Sequence, residues 1–223
     1  GSMILSVGSY GCNLKCPFCQ NVDISMADGR DKPYAEYVAP ETLCELALKY
    51  KDKGNIGVAY TYNEPLVSYE YVRDAAKLVQ EAGLINVLVT NGSVGLNVLE
   101  ELAAYVDAMN IDLKCFNDKY YRDVLKGDFE AVKSFITRAA EFCHVELTTL
   151  IIPGENDSDE EMEELSEWVH EQELKAGKEI PLHITRFFPR SRYSDRQPTK
   201  TGRVYELAAV ARRRLKYVYE GNV

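Results

Sequence analysis

Strand-like and helix-like segments alternate along the whole chain, and this pattern limits the possible folds more than any other feature. Six apolar runs have the length and residue preferences of strands, and amphipathic segments with helical spacing separate or follow them. The predicted strands cover residues 4–8, 56–62, 86–90, 108–113, 145–152 and 182–188, and the predicted helices cover 40–53, 94–105, 129–142, 202–217, a segment from Ser68 to Gly83 and one that starts at Ser158. Repeated β/α units predict a parallel sheet with helices outside.

The number of units decides between the two ways in which such a sheet can be arranged. Crossovers between parallel strands are right-handed, so the sheet either curls into a barrel or stays open and doubly wound. Six units are too few for the common eight-stranded closed barrel. We therefore predict a partial (β/α)6 barrel with parallel strands and outer helices, and an open doubly wound sheet is the alternative.

Two helix starts have side chains suited to capping. Ser68 precedes one amphipathic segment, and we expect it to be an N-cap. Ser158 and Glu161 have the spacing of a capping box, in which each side chain accepts a hydrogen bond from the other residue's backbone.

Polar residues alternate with apolar ones in three of the predicted strands. In the fourth strand Asn110 and Asp112 fall on the face opposite Ile111, and in the sixth His183 falls opposite Ile184. Strands covered on both faces normally read as nearly continuous aliphatic runs. Because buried polar groups need partners, this face either holds a polar ligand or pairs its polar groups with one another.

Length and charge exclude several classes of protein. A chain of 223 residues can form one well-packed domain, so we expect residues 1–223 to be a single domain, either whole or a piece of a longer chain. No apolar run is long enough for a membrane span, and we expect a monomer with no membrane partner. The net charge of −9 disfavours general nucleic-acid binding, although a local basic patch is compatible with it.

Three of the six cysteines lie on one short loop directly after the first predicted strand. Cys12, Cys16 and Cys19 have Cys-x3-Cys-x2-Cys spacing, whereas the other three are scattered in apolar segments. Clustered thiolates suit an iron-sulfur cluster, for which the loop itself supplies no fourth ligand. A structural zinc site is the alternative, but it would need a fourth ligand, and no histidine lies near. Isolated thiols elsewhere predict a reduced, cytoplasmic location.

The cysteine loop, with aromatic Phe18 before the third cysteine, resembles the cluster motif of the radical S-adenosylmethionine superfamily. The resemblance implies that Cys12, Cys16 and Cys19 bind three irons of a [4Fe-4S] cluster. The methionine part of S-adenosylmethionine would then chelate the fourth iron. Reductive cleavage would release methionine and a 5′-deoxyadenosyl radical that abstracts hydrogen from a substrate.

Four further segments resemble the pyruvate formate-lyase activating enzyme group of that superfamily. They are the stretches 60–65 (Tyr-Thr-Tyr-Asn-Glu-Pro), 90–92 (Thr-Asn-Gly), 110–114 (Asn-Ile-Asp-Leu-Lys) and 152–157 (Ile-Pro-Gly-Glu-Asn-Asp). The stretch 183–189 is also similar to one in the radical enzyme of the AmmeMemoRadiSam system. Each segment ends or follows a strand, at the rim where parallel α/β folds bind ligands.

The resemblance assigns cofactor contacts to four polar residues on two of these segments. Asn63 and Glu64 would contact the methionine amino group, although this chain has Tyr62-Asn63-Glu64 where the superfamily commonly has Gly-Gly-Glu. Asp112 and Lys114 would face the ribose and the methionine carboxylate. Alternatively, Asp112 helps to bind a monovalent cation.

The remaining cofactor-binding candidates come from three other segments. Phe18 belongs to the cysteine motif, and Thr90 and Asn91 would line the same rim. His183 and Arg186 are candidates for the adenine or substrate side. By strand alternation they cannot both point inward, so we expect one of them to lie on a bend.

The resemblance leaves the target open. It implies an electron donor such as flavodoxin or ferredoxin and a protein or small-molecule substrate, with activation of a glycyl-radical enzyme as the first hypothesis. A radical maturase or methyltransferase is the second, and a cluster-bearing or zinc-bearing binding module without turnover is the third. The basic and aromatic stretch 186–196 is either a lid over an anionic or peptide substrate or an ordinary surface loop.

Overall fold

The computed structural model describes residues 2–27 and 36–223. Within them the chain forms one sheet whose strands stand in sequence order, each pair of neighbours being parallel. The strands are β1 (Met3–Val7), β2 (Asn55–Tyr60), β3 (Ile85–Thr90), β4 (Ala108–Asp112), β5 (His144–Ile151), β6 (Leu182–Arg186) and β7 (Val218–Gly221).

Helices connect successive strands. They are α1 (Val22–Ser25), α2 (Pro40–Lys49), α3 (Tyr69–Glu81), α4 (Leu96–Leu102), α5 (Asp118–Tyr120), α6 (Phe129–Phe142), α7 (Asp159–Ala176) and α8 (Thr201–Ala211). Short 3-10 turns occupy Lys51–Lys53, Pro65–Ser68 and Ser191–Tyr193, and a π-turn occupies Tyr121–Leu125. No helix in the described part of the chain has both the length and the apolar character needed to cross a membrane.

The predicted fold class is confirmed: the strands are parallel, the helices lie outside, and the sheet stays open with β1 and β7 at its edges. The predicted number of strands is wrong by one, because β7 adds a seventh. This strand has four residues and pairs with β6 from Leu182↔Val218 to Thr185↔Gly221. A segment this short has too little alternation to be recognised in sequence.

Three predicted helices are too long. The segment 40–53 divides into α2 and a 3-10 turn that ends at Gly54, whose φ of 92° favours glycine. The segment 94–105 is helical only from Leu96 to Leu102, and 202–217 only from Thr201 to Ala211.

The predicted caps are only partly correct. Ser68 stands at the N-cap of α3, but its side chain makes no capping hydrogen bond. Ser158 Oγ accepts a hydrogen bond from the Glu161 backbone N–H at 3.1 Å, as a capping box requires. The Glu161 carboxylate instead accepts from the Phe116 backbone N–H at 2.7 Å. The second half of the predicted box is therefore wrong, because Glu161 fixes the loop after β4 to the start of α7.

Alternating burial along the strands separates the two faces of the sheet. In β4 and β5 the residues Met109, Ile111 and Leu147 are buried in the apolar core, whereas Asn110 and Glu146 are partly exposed. The predicted alternation is confirmed. Two polar pairs span this inner face: Thr148 Oγ1 donates to Asn110 Oδ1 at 2.8 Å, and His183 Nε2 lies 2.7 Å from Glu146 Oε2.

A segment after β6 crosses the carboxyl edge of the sheet and contacts the cysteine loop. We call residues 188–196 the crossing segment. The Gln20 side-chain amide donates to the Phe188 carbonyl at 3.1 Å, and Tyr193 N–H donates to the Pro17 carbonyl at 3.2 Å. The crossing segment thus joins opposite sides of the open sheet above the carboxyl ends of the strands.

Candidate active site

A cavity of about 230 Å³ opens at the carboxyl ends of the strands, beneath the cysteine loop. Loops after β1, β2, β3 and β4 supply most of its wall, as expected for ligand sites in parallel α/β folds. The lining residues are Cys12, Leu14, Cys16, Phe18, Cys19, Gln20, Asn21, Ser25, Asn63, Glu64, Asn91, Asp112, Lys114 and Leu150. The structure therefore brings together the three cysteines, Phe18 and five of the polar residues that the sequence singled out.

Two buried apolar side chains anchor the cysteine loop. Leu14 and Phe18 are 1% and 3% exposed, so the loop between the first and third cysteines is held against the core. Lys15 N–H donates to the Leu125 carbonyl at 2.8 Å, which ties the middle of the loop to the π-turn before α6. This anchoring leaves the three thiols at the cavity wall on a preformed loop.

Burial favours the protonated form of two of the thiols, those of Cys12 and Cys16. Burial raises the pKa of Cys16 to about 12, and burial also raises the pKa of Cys12. The nearby Lys114 ammonium acts in the opposite direction on both thiols. Since a metal ligand must be the thiolate, metal binding here would displace protons, and affinity would rise with pH.

The donor set fits an iron-sulfur cluster better than a single metal ion. Within residues 2–27 and 36–223, no three His, Cys, Asp or Glu side chains are grouped closely enough to hold one metal ion. Three thiols instead surround one side of a shared cavity. Soft sulfur ligands arranged around a space, rather than around a point, suit a multi-iron group.

Glu64 is a buried residue of the cavity wall and joins the loops after β2 and β3. It is 1% exposed, and its Oε1 accepts hydrogen bonds from Leu66 N–H at 3.0 Å and Thr90 Oγ1 at 2.6 Å. Its Oε2 accepts from Asn91 N–H at 2.7 Å. Burial raises the pKa of the Glu64 carboxyl, while these three hydrogen bonds act to lower it. Thr90 lies behind the wall and reaches the cavity only through Glu64.

Asn63 presents an unpaired acceptor to the same cavity. Its Nδ2 donates to the Ser9 carbonyl, which fixes the orientation of the amide because a carbonyl can only accept. Its Oδ1 is buried and has no hydrogen-bond partner among the residues that the structure describes. Tyr62 and Asn63 have φ angles of 49° and 86°, a region that glycine adopts readily and other residues rarely. Asn63 therefore has a backbone conformation that suits glycine, and its side chain supplies a buried oxygen.

Asn91 connects the loop after β3 with the cysteine loop. Its Nδ2 donates to Asn13 Oδ1 at 2.8 Å and lies 3.7 Å from Cys12 Sγ. Asn13 Nδ2 in turn donates to the Ser93 carbonyl at 2.7 Å. Sequence reasoning missed Asn13, and its position directly after Cys12 was the one available signal.

Asp112 and Lys114 form an ion pair at the far wall of the cavity, with Lys114 Nζ 2.6 Å from Asp112 Oδ2. Burial lowers the pKa of Lys114, but the Asp112 carboxylate and the Cys16 thiolate outweigh burial, so the net shift is upward. Lys114 is therefore positively charged beside the thiols. Asp112, which the sequence suggested as a cation ligand, already has a cationic partner.

His183 and Arg186 do not line the cavity. His183 pairs with Glu146 on the inner face of the sheet and stacks on Tyr219, with ring centroids 5.4 Å apart. Arg186 Nε donates to the Thr199 carbonyl at 2.7 Å, and its guanidinium lies 4.8 Å from the centroid of the Phe188 ring. Of the twelve candidate cluster-binding and cofactor-binding residues, His183 and Arg186 therefore lie apart from the other ten.

Comparisons with known proteins agree with this architecture. The model of a family described as the Radical SAM superfamily matches residues 6–169. A protein of Methanocaldococcus jannaschii, described as uncharacterized, is 37% identical over 100% of this chain and 64% of its own length. The pyruvate formate-lyase-activating enzyme of Clostridium pasteurianum is 28% identical over 70% of this chain and 65% of its own length.

Among solved structures, Streptococcus suis SuiB bound to S-adenosylmethionine aligns with a TM-score of 0.74. The alignment covers 100% of this chain and 51% of that chain at 14% identity, a level that shows a shared fold. The chain spans 64% and 65% of the lengths of the two sequence relatives.

Proposed function

The chain belongs to the radical S-adenosylmethionine superfamily, whose members use a [4Fe-4S] cluster and S-adenosylmethionine, and we propose that it cleaves S-adenosylmethionine reductively. Cys12, Cys16 and Cys19 would hold the cluster. The observation that carries this proposal is that the three thiols line one cavity together with Asn63, Glu64, Asn91, Asp112 and Lys114. When bound, the cluster supplies one electron to the sulfonium, which releases methionine and a 5′-deoxyadenosyl radical able to abstract hydrogen.

The residues of this chain have three tasks in that reaction. Asn63 offers a buried oxygen to the amino group of the methionine part, and Glu64 orients the loops after β2 and β3 around it. Lys114 offers an ammonium to the carboxylate, with Asp112 holding that ammonium in place. Phe18 and Leu150 supply apolar wall, which limits water in the cavity.

We further propose that the substrate is a protein whose glycine residue loses a hydrogen atom. This finer assignment is supported by the relative named as a pyruvate formate-lyase-activating enzyme. An external one-electron donor of the flavodoxin or ferredoxin type would supply the electron. All six cysteines are free, which fits a reduced compartment such as the cytoplasm.

Anaerobic reconstitution with iron and sulfide tests the proposal. We expect iron-sulfur absorbance and, after addition of dithionite and S-adenosylmethionine, formation of 5′-deoxyadenosine. Cys16→Ala should abolish both signals. Cys44→Ala is the matched control, since Cys44 lies in α2 and outside the cavity, and it should keep both signals.

The outcomes separate the candidate functions. A protein that binds zinc in preference to iron, or that forms a cluster without yielding 5′-deoxyadenosine, would be a binding module rather than a radical enzyme. Full activity of Cys16→Ala would refute the ligand assignment. Incubation with a glycyl-radical enzyme, followed by electron paramagnetic resonance of the glycyl radical, tests the substrate proposal separately.

A further inference from the structure

A second cavity lies on the other side of the cysteine loop. Its volume is about 670 Å³, and its walls come from the cysteine loop, α1, the π-turn before α6 and the crossing segment. The lining residues are Lys15, Cys16, Pro17, Val22, Met26, Asp123, Val124, Lys126, Ser191, Arg192 and Tyr193. We call this cavity the outer groove.

Cys16 lines both the outer groove and the candidate active site, and no other described residue does so. A single residue of the cysteine loop therefore separates the two spaces. Anything bound in the outer groove lies within one residue of a group held by the cysteines. It also lies on the face opposite Asn63 and Lys114, so it would not compete with a ligand in the active-site cavity.

The rim of the outer groove is basic although the chain as a whole is acidic. Lys15, Lys126 and Arg192 are exposed and line it, while the chain has a net charge of −9. The acidic member of the lining, Asp123, lies 3.2 Å from Arg122, which offsets its charge. A positive patch on an acidic protein attracts an acidic partner and orients its approach.

The lining of the outer groove is also partly apolar. Pro17, Val22, Met26, Val124 and Tyr193 contribute apolar surface beside the basic residues. Apolar surface combined with charged residues is common in protein docking surfaces. A small inorganic anion would use the charges but not the apolar surface, so the composition favours a protein.

Hydrogen bonds to backbone carbonyls hold the groove in shape. Lys15 N–H donates to the Leu125 carbonyl at 2.8 Å, and Arg192 donates to the Lys15 carbonyl at 2.6 Å. Tyr193 N–H donates to the Pro17 carbonyl at 3.2 Å. Residues on both sides of Cys16 are therefore fixed to the groove walls, and a partner would meet a preformed surface.

We propose that the outer groove is the docking site of the reducing partner, an acidic one-electron carrier protein. One electron leaves the reduced carrier, which is oxidised by one electron, and passes across the wall at Cys16 to the cluster, which is reduced by one. No atom is transferred. This inference rests on the proposed function, because it requires a redox group held by Cys16. It adds the surface on which the electron donor of that function would bind.

Charge reversal at the groove tests the proposal. In Lys15→Glu/Lys126→Glu two exposed cations of the rim change sign, and both substitutions leave the backbone bonds of the groove intact. The matched control is Lys49→Glu/Lys51→Glu, which makes the same charge change on exposed residues. These residues precede β2, so they lie near the amino-terminal ends of the strands, away from the groove. Iron content of each reconstituted variant shows whether the cluster is intact.

The measurement is the rate of cluster reduction by reduced flavodoxin, followed anaerobically by stopped-flow absorbance, with ferredoxin as a second carrier. At low salt we expect the rate of cluster reduction to be about tenfold or more lower in the groove variant than in the control. This difference should shrink between about 50 mM and about 500 mM salt, because screening weakens the attraction. Dithionite, a small reductant, should reduce the wild type and both variants at similar rates.

Three results would overturn the proposal. The first is equal rates for the groove variant and the control. The second is a wild-type cluster that dithionite reduces but neither carrier does. The third, a wild-type protein that forms no cluster at all, would refute the proposed function as well and is distinguished by its absent absorbance.

Discussion

Two glutamates on the two halves of the sheet have opposite surroundings. Glu64, after β2, is 1% exposed and accepts three hydrogen bonds from two neighbouring loops. Glu146, on β5, has a side chain that is 36% exposed and lies between His144 at 3.1 Å and His183 at 2.7 Å. Glu64, in the β2–β4 half of the sheet, is thus fixed within the protein, whereas Glu146, in the β5–β7 half, keeps its paired carboxylate partly open to solvent.

This contrast has a functional consequence. The β2–β4 half forms most of the wall of the candidate active site, where polar groups must already be oriented before a ligand arrives. The β5–β7 half presents Glu146, His183 and Tyr219 on the inner face of the sheet. We therefore expect loss of the Glu64 carboxylate to alter stability and cofactor binding together, and loss of the Glu146 carboxylate to alter stability little.

The largest predicted difference is in the free energy of unfolding of Glu64→Ala and Glu146→Ala. Removing the Glu64 carboxylate leaves two buried N–H groups and a hydroxyl without their acceptor, which should lower the free energy of unfolding by about 3 kcal/mol. Glu146→Ala should lower it by less than about 1 kcal/mol, because an exposed ion pair stabilises little. Urea denaturation of the two variants measures both values. Equal losses would show that the two halves are not organised differently.

The second prediction concerns ligand binding at Asn63, in the β2–β4 half of the sheet. Asn63→Gly suits the φ of 86° but removes the buried oxygen. Relief of backbone strain and the greater freedom of glycine in the unfolded chain should nearly offset each other, so unfolding free energy should change by less than about 1 kcal/mol. Affinity for S-adenosylmethionine should fall about tenfold, since one hydrogen bond to a charged group is lost.

Isothermal titration of the reconstituted protein measures that affinity. Tyr62→Gly is the matched control, because Tyr62 also has a left-handed φ of 49° but is 55% exposed and does not line the cavity. The control should bind S-adenosylmethionine as the wild type does. Unchanged affinity in Asn63→Gly would remove Asn63 from the proposed site.

The third, smaller effect is on the pH dependence of stability, where the two glutamates should differ in sign. Burial raises the folded-state pKa of Glu64, so its stabilising contribution is present below the unfolded pKa and is lost as pH rises through the folded pKa. Burial also acts to raise the pKa of Glu146, but its hydrogen bonds to His144 and His183 outweigh burial and lower the pKa. Its contribution is present above the unfolded pKa and is lost as pH falls through the folded pKa.

Denaturation curves of the wild type, Glu64→Gln and Glu146→Gln between about pH 3 and about pH 6 test these signs. The stability difference between the wild type and Glu64→Gln should decrease as pH rises above 4.5, the ordinary pKa of a glutamate side chain. The difference for Glu146→Gln should decrease as pH falls below that value. Slopes of the same sign would contradict the assignment.

Local sequence patterns were sufficient for the fold class and for the cysteine loop. Alternation in β4 placed Asn110 and Asp112 on the inner face, and the spacing of the cysteines placed three thiols together. Both depend on residues close in sequence, whose geometry is set by the strand repeat or by a short loop.

Contacts between distant segments could not be predicted in the same way. The hydrogen bonds from Gln20 to Phe188 and from Arg192 to Lys15 join residues 168 and 177 positions apart. The stretch 186–196 was recognised as basic and aromatic, but its contact with the cysteine loop depends on the curvature of the whole sheet. The pairing of His183 with Glu146 also joins residues that are distant in sequence, and the resemblance gave no sign of it.

The smallest effect should distinguish the helix starts of the two halves. Ser68 makes no capping hydrogen bond at α3, and the 3-10 turn before it has its own cap, Glu64, whose side chain accepts from Leu66 N–H. Ser158 does cap α7 through Glu161 N–H. We expect Ser158→Ala to lower the free energy of unfolding by about 1 kcal/mol and Ser68→Ala to leave it within about 0.5 kcal/mol of the wild type. Thermal or urea denaturation measures both, and a loss in Ser68→Ala equal to that in Ser158→Ala would show that the Ser68 side chain stabilises its helix as much as a capping serine does.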